Sequence, residues 1–237
     1  MKIIIDTPEK IAQMAAQHYV ELLNKKPGAV LGYATGSTPL GLYAELAKLN
    51  SEGKLSFKNA TTFNLDEYAG LEPTHDQSYR YFMNENLFTK IDIPLENTHV
   101  PSGIDTASAG AYDEAIAAAG GIDLQLLGIG NNGHIGFNEP GTPFSSITHV
   151  VDLTESTRLA NSRFFESIDE VPTQAVSMGI KTVMNAKSII LIALGKAKAE
   201  IIKATIQGDV TPDVPASVLQ LHPDVVMYLD YEAASLL

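Results

Sequence analysis

Ser188-Ile189-Ile190-Leu191-Ile192-Ala193-Leu194 decides the fold. A strand with one face in water alternates apolar and polar side chains. After Ser188 this run has no polar residue, so it predicts a strand buried on both faces. Strands of that kind belong to parallel sheets covered by helices. Outward from it, Val225–Leu229 repeats the pattern, and Lys2–Ile5, residues 29–35, the Thr- and Phe-rich residues 60–65 and residues 124–128 read as further strands. Helical periods lie between them. Thr7-Pro8-Glu9 supplies an N-cap, a proline at the first helical position and an acid in the first turn, predicting a helix to about residue 24. Thr38-Pro39 repeats the signature for a helix to about residue 50, Ser78 caps another, and residues 107–119 form an Ala-rich one. The alternation predicts an α/β chain: one domain over residues 1–237 with a doubly wound, mostly parallel, Rossmann-like sheet flanked by helices. In such sheets ligands bind at the carboxyl ends of the strands.

The composition limits the partners. Lys and Arg total 16 against 28 Asp and Glu, a net charge of −12. The exterior therefore repels phosphate backbones and anionic membranes, and no basic run offers a local exception. No nucleic-acid or membrane partner is expected. The chain has no cysteine, which excludes disulfides, thiolate metal sites and a cysteine nucleophile. With no apolar run near 18 residues and no charged-then-apolar N-terminus, the expected location is the cytoplasm. The charges are also uneven. From Ile91 to Thr157 there is no Lys or Arg, whereas Asp92, Glu96, Asp105, Asp113, Glu114, Asp123, Glu139, Asp152 and Glu155 all fall there, and no cation follows Lys203. Any anion-binding charge must come from the first part of the chain or from residues 158–203.

The segments that follow predicted strands, residues 35–38, 66–68, 130–134 and 195–198, hold most of the reactive groups. Thr35-Gly36-Ser37-Thr38-Pro39 is a strand end, a glycine turn and a helix start, whose unpaired N–H groups and dipole fit a phosphate; a plain turn and cap is the alternative. Asp66 and Glu67 are adjacent in an extended chain and point to opposite sides, so at most one faces the cleft. A partly desolvated carboxylate beside another acid gains proton affinity, which suits a base that takes a proton from carbon; an acid capping a loop is the alternative.

Gly128-Ile129-Gly130-Asn131-Asn132-Gly133 matches a dinucleotide fingerprint, with Asp152 placed where a ribose-binding acid would stand. That fingerprint must open a helix, and Gly136, Pro140, Gly141 and Pro143 leave no room for one. The loop instead presents His134 and Glu139. Glu139 can bond one imidazole nitrogen and leave the other to move protons. Backbone-satisfied structural roles are assigned to His18, His75, His99 and His222. Arg163 and Lys198 lie in the last cation-bearing stretch, where a solvated charged face competes with anion binding. No metal-ligand spacing emerges, so no metal is expected.

Gly32-Tyr33-Ala34-Thr35-Gly36-Ser37-Thr38-Pro39, Phe63-Asn64-Leu65-Asp66-Glu67-Tyr68, the stretch from Gly128 to Gly141, and Ala160-Asn161-Ser162-Arg163-Phe164-Phe165 together resemble the glucosamine-6-phosphate deaminase family. The resemblance continues through Gly195, Lys198 and Leu219-Gln220-Leu221-His222-Pro223. It implies conversion of glucosamine 6-phosphate and water to fructose 6-phosphate and ammonia, without a metal or organic cofactor. It makes Asp66 the base that takes the proton from C2 and delivers one to C1, and His134 the ring-opening group, oriented by Glu139. It assigns the substrate phosphate to Gly36, Ser37, Thr38, Arg163 and Lys198. Asn132 departs from members that carry Asp there; it can orient an imidazole but is no counter-charge. Residues 142–151 contain no Lys or Arg, only His149, and the chain stops at Leu237. Loss of the allosteric effector site of the longer hexameric members is therefore expected, with a monomer rather than a hexamer. Two rivals remain at this stage: a 6-phosphogluconolactonase, and a non-catalytic sugar-phosphate sensor.

Overall fold

The structure is a computed structural model describing residues 1–162, 165 and 167–237, without the side chains of 156, 160 and 161. In chain order the elements are β1 (Lys2–Ile5), α1 (Pro8–Lys25), β2 (Val30–Tyr33), α2 (Leu40–Ser51), β3 (Thr61–Asn64), β4 (Asp66–Tyr68), α3 (Tyr79–Asn86) and β5 (Thr98–His99). They continue with α4 (Ala109–Ala118), β6 (Leu124–Leu127), β7 (His149–Asp152), α5 (Glu155–Asn161), β8 (Gln174–Ser177), α6 (Ile180–Met184), β9 (Ser188–Ala193), α7 (Ala199–Gln207) and β10 (Val225–Leu229).

Seven strands form one sheet in the order β1-β10-β9-β6-β2-β3-β5, and every pairing is parallel. β2, β6 and β10 are buried at every residue and β9 at all but Ser188, so helices cover both faces. The strand side chains between these layers are mostly apolar or aromatic, with Thr62, Asn64 and Gln125 as buried polar exceptions. Tyr19 stacks on Tyr33 with centroids 5.8 Å apart, and Tyr33 meets Tyr43 edge-on. At the amino ends of the strands, Asp123 accepts the Val30 N–H at 2.8 Å and binds Lys26 at 2.7 Å and Lys187 at 2.6 Å, tying β6 to β2. These charge-assisted bonds hold its carboxyl below the usual range despite the opposing effect of desolvation.

The chain leaves β2 towards β3 on one side and returns to β6 on the other, so the order reverses between β2 and β6, the place at whose carboxyl edge such sheets bind ligands. β9, β6, β2 and β3 are consecutive neighbours. The loops that follow them, residues 194–198, 128–134, 34–39 and 65–68, therefore emerge side by side.

A second sheet was not anticipated. β4, β8 and β7 form a small antiparallel unit, with Asp66 opposite Ser177 and His149 also opposite Ser177 on the other flank. Its strands have only three or four residues, too short for periodicity to announce. Tyr68, Tyr79 and Phe137 pack beneath it, with Phe165 edge-on to Tyr68. α2 also differs from expectation. It begins at Leu40 with Pro39 at the capping position, and no side chain caps it, so Thr38 does not serve as the cap. Among the described residues no helix is long and apolar enough to cross a membrane.

Candidate active site

Asp66 begins β4 immediately beyond the end of β3, and only 6% of its surface is exposed. Its neighbour points the other way and is occupied. Glu67 accepts the N–H groups of Tyr68 at 2.8 Å, Tyr79 at 2.9 Å and Arg80 at 3.0 Å, the latter two forming the first turn of α3. Glu67 is thus a helix cap, and Asp66 is the carboxylate left for the cleft. Burial, reinforced by the Glu67 charge, pushes the Asp66 carboxyl up from 3.8 to about 8.

The loop from Gly130 to Gly141 passes over Asp66. Gly136 has φ +59°, a conformation that favours glycine. A Cβ there would stand 3.5 Å from Asp66 Oδ2 and 3.0 Å from Ser177 Oγ. Ser177 Oγ accepts the Phe137 N–H at 3.0 Å, and the Asn138 amide donates to Ile135 and Met178 carbonyls, so the loop is docked on β8. Gly130 is needed for a different reason. A side chain there would meet the His134 ring at 2.3 Å.

His134 and Glu139 come together, with Nδ1 3.6 Å from Oε2, longer than a hydrogen bond and short enough for an ion pair once the ring is protonated. Nδ1 is buried and, among the described residues, has no hydrogen-bond partner. Glu139 itself is well supported. Oε2 accepts from Asn132 Nδ2 at 2.5 Å, and Oε1 accepts from Thr157, with Thr154 Oγ1 3.3 Å away. Partial burial would raise its pKa, but the His134 ring, Thr157 and Asn132 outweigh it and bring the carboxyl down to about 2. Asn132 therefore acts differently from the sequence expectation. Its Oδ1 accepts the His134 backbone N–H at 3.2 Å and its amide holds Glu139, so it orients the carboxylate and the loop rather than the imidazole.

The expected phosphate group is partly on view. Gly36 has φ +102°, Ser37 is exposed and Thr38 half-buried, beside the first turn of α2, which no side chain caps. Lys198 is half-buried and ends a short 3-10 turn entered through Gly195, whose φ is +88°. Asp230 holds that turn by accepting the Gly195 N–H at 2.9 Å. Arg163 lies outside the described residues. A groove of about 500 Å³ flanks Ser37 and Thr38, lined by Ile11, Ala12, Leu42, Ile192 and Leu194 among others. None of the acid–base residues borders it. Among the described residues no cluster of three or more His, Asp or Glu could hold a metal ion.

Four residues were missed. Thr154 and Thr157 reach Glu139 from the N-terminus of α5, and Thr154 caps that helix, so its cap signature was a legible signal. Asp230 directly follows β10 and obeys the same rule of strand ends that located the other loops. Ser177 gave no signal, because its strand was not recognised. Of the histidines expected to be satisfied by backbone, His222 meets the Ala186 carbonyl at 2.8 Å and His75 accepts the Gln77 N–H, whereas His18 instead meets Tyr228 Oη at 2.8 Å and His99 stacks on Phe63.

A family model for glucosamine-6-phosphate isomerases/6-phosphogluconolactonase matches residues 6–227. The glucosamine-6-phosphate deaminase of Thermoanaerobacter pseudethanolicus is 53% identical over 241 residues, covering 100% of this chain and 95% of its own. A solved monomeric glucosamine-6-phosphate deaminase of the NagB superfamily matches with a TM-score of 0.97 and 48% identity, covering 100% of both chains. The 6-phosphogluconolactonase of Trypanosoma cruzi shares the fold, with a TM-score of 0.79 and 21% identity over 99% of this chain and 96% of that one.

Proposed function

The chain belongs to the glucosamine-6-phosphate isomerase/6-phosphogluconolactonase family, and from that premise we propose that it is a glucosamine-6-phosphate deaminase, converting glucosamine 6-phosphate and water to fructose 6-phosphate and ammonia. One observation carries the roles. A buried carboxylate of raised basicity, Asp66, lies under the same loop that holds a His–carboxylate pair, His134 and Glu139. The reaction needs two acid–base centres, and this edge of the sheet has two.

His134 moves a proton between the anomeric hydroxyl and the ring oxygen, which opens the pyranose to the aldehyde. Glu139 stays anionic and balances the ring while it is charged. Asp66 then removes the C2 proton to give an enolamine and returns a proton to C1, leaving an imine at C2. Water adds to that carbon and ammonia departs. A carboxylate near the ordinary range would be a poor base for a C–H proton, and the raised proton affinity of Asp66 narrows that gap. The phosphate is held by the Gly36-Ser37-Thr38 turn, Lys198 and Arg163, a set of N–H groups and cations that suits one phosphate inside an acidic protein.

The remaining assignments follow the same reading. The net reaction is a hydrolytic deamination coupled to aldose–ketose isomerisation, in a single domain working in the cytoplasm as a monomer. The single-domain reading is supported by one core cluster running from Ile11 to Ala233. The likeness to a monomeric relative and the absence of Lys and Arg from residues 142–151 support a monomer without effector control. Hyperbolic kinetics, insensitive to N-acetylglucosamine 6-phosphate, are expected, and a sigmoidal curve relieved by that compound would overturn this part.

The test is ammonia release with stoichiometric fructose 6-phosphate from glucosamine 6-phosphate, in the presence of a chelator. No ammonia together with opening of 6-phosphogluconolactone would replace this reading with the lactonase one.

A further inference from the structure

We propose that Thr157, backed by Thr154, is a positioning residue for the ring-opening centre, holding Glu139 from α5 so that the His134–Glu139 pair is assembled only when α5 is docked on the loop. The proposal deepens the functional reading above and rests on it for its kinetic arm.

The two oxygens of Glu139 are divided between two parts of the molecule. Oε2 faces the loop, with Asn132 Nδ2 at 2.5 Å and His134 Nδ1 at 3.6 Å. Oε1 faces α5, accepting from the Thr157 hydroxyl, with Thr154 Oγ1 3.3 Å away. Thr157 is buried, with 6% of its surface exposed, whereas Thr154 is exposed. Each hydroxyl has one proton to give. Thr157 gives its proton to Glu139. Thr154 lies 3.1 Å from Thr157 Oγ1 and so can donate to it in turn, while accepting the Thr157 N–H at 3.3 Å. The cap of α5 and the carboxylate of the loop thus form one hydrogen-bonded unit. Unlike Asn132, which precedes Glu139 in the same loop, Thr157 comes from the segment that follows β7 of the small antiparallel sheet.

Rotation of Glu139 about its side-chain bonds is the motion that would separate it from His134. A donor on one oxygen alone leaves the carboxylate free to swing about that contact, and donors on both oxygens from opposite sides fix its plane. Among the described residues, His134 is the titratable group that acts on Glu139. The charged neighbours on α5 point elsewhere: Glu155 is exposed, and the Arg158 guanidinium donates to the Ile168 and Val171 carbonyls.

The experiment compares Thr157→Val with Thr157→Ser, using steady-state ammonia release and carboxyl ¹³C titration of Glu139 in the substrate-free protein. Thr157→Val is expected to lower kcat by roughly 10- to 100-fold, the scale of one lost bond to a charged group, with KM within about twofold. Glu139, ionised in the parent protein throughout the range from about pH 4 to pH 6, should begin to protonate there in the Val variant. The Ser variant keeps the hydroxyl and should restore both readouts. A folded Val variant with the parent's kcat and Glu139 titration would overturn the proposal, as would a Ser variant impaired as severely as the Val one, since packing of the methyl group would then be the cause. If the parent protein released no ammonia, the functional reading would fail, and the Glu139 titrations of the two variants would still decide this one.

Discussion

Replacing Asp66 with Asn should abolish the reaction and stabilise the protein, increasingly so as pH rises. Burial, with the Glu67 charge added, moves the Asp66 carboxyl from 3.8 to about 8 on folding. The native state then keeps a proton that the unfolded chain has lost, so stability is greatest below 3.8 and is lost as pH climbs through about 8. Between about pH 5 and pH 8 the loss accumulates over about 3 units, roughly 4 kcal/mol at about 1.4 kcal/mol per unit. Asn has nearly the same shape and no charge, so the variant lacks this dependence. Other titrating groups affect both proteins almost equally and cancel in the comparison.

The assay is urea unfolding of both proteins at about pH 5 and about pH 9. Water entering the site when Asp66 ionises reduces the full figure, so the advantage of Asp66→Asn should grow by about 2–4 kcal/mol between the two conditions. An advantage that stays constant or shrinks with pH would refute the burial argument, and with it the basicity on which the C2 chemistry depends. The same variant should also fail to exchange the substrate's C2 hydrogen with solvent, and retained exchange would remove Asp66 from that role.

The neighbouring cap gives a companion test. Glu67→Gln removes the charge that helps raise Asp66, so the acid limb of the kcat/KM profile should move to lower pH, while thermal stability falls because α3 loses a cap bond. Gly130→Ala places a methyl group 2.3 Å from the His134 ring; displacing the ring should cost on the order of 10²-fold in kcat, measurable by coupled ammonia assay, with phosphate binding retained. At the opposite end of the sheet, Asp123→Asn breaks the tie between β6 and β2 and should cost about 1–3 kcal/mol at neutral pH. Because the Asp123 carboxyl is held low, that deficit is present above the ordinary carboxylate range and should shrink as pH falls through the lowered pKa, as urea unfolding at two pH values would show.

Most of the parallel sheet was legible because strands such as β9 and β10 are continuous apolar runs, although the two-residue β5 was missed, and the rule of strand ends then placed the loops at residues 35–38, 66–68, 130–134 and 195–198 without coordinates. β4, β7 and β8 were hidden. His149–Asp152 is alternately half-buried and exposed, and Asp66-Glu67-Tyr68 is a polar triplet that joins a sheet because of long-range pairing with Gln174–Ser177. Such strands owe their existence to tertiary partners, and local propensity cannot reveal them. The role of Asn132 was misjudged for a similar reason. Position and residue type indicated an imidazole partner, whereas the fold turns the side chain towards Glu139.

The hidden sheet is also what joins the two acid–base centres. β4 carries Asp66, β8 presents Ser177 to the backbone beside Gly136, and β7 leads into the helix whose threonines hold Glu139. Two carboxylates a short way apart on the same edge are thereby driven in opposite directions. Asp66 is buried beside another acid with no compensating donor among the described residues and rises to about 8; Glu139 is partly buried among donors and falls to about 2. Environments that separate two carboxyl groups this far assign them different work. One exchanges protons with carbon near neutral pH, while the other remains a fixed anion behind an imidazole. A net charge of −12 does not oppose this chemistry. The cation-free stretch from Ile91 to Thr157 holds the ring-opening loop, where a lysine would compete with His134 for Glu139. The late cations Arg163 and Lys198 fall outside it, where the substrate phosphate is proposed to bind.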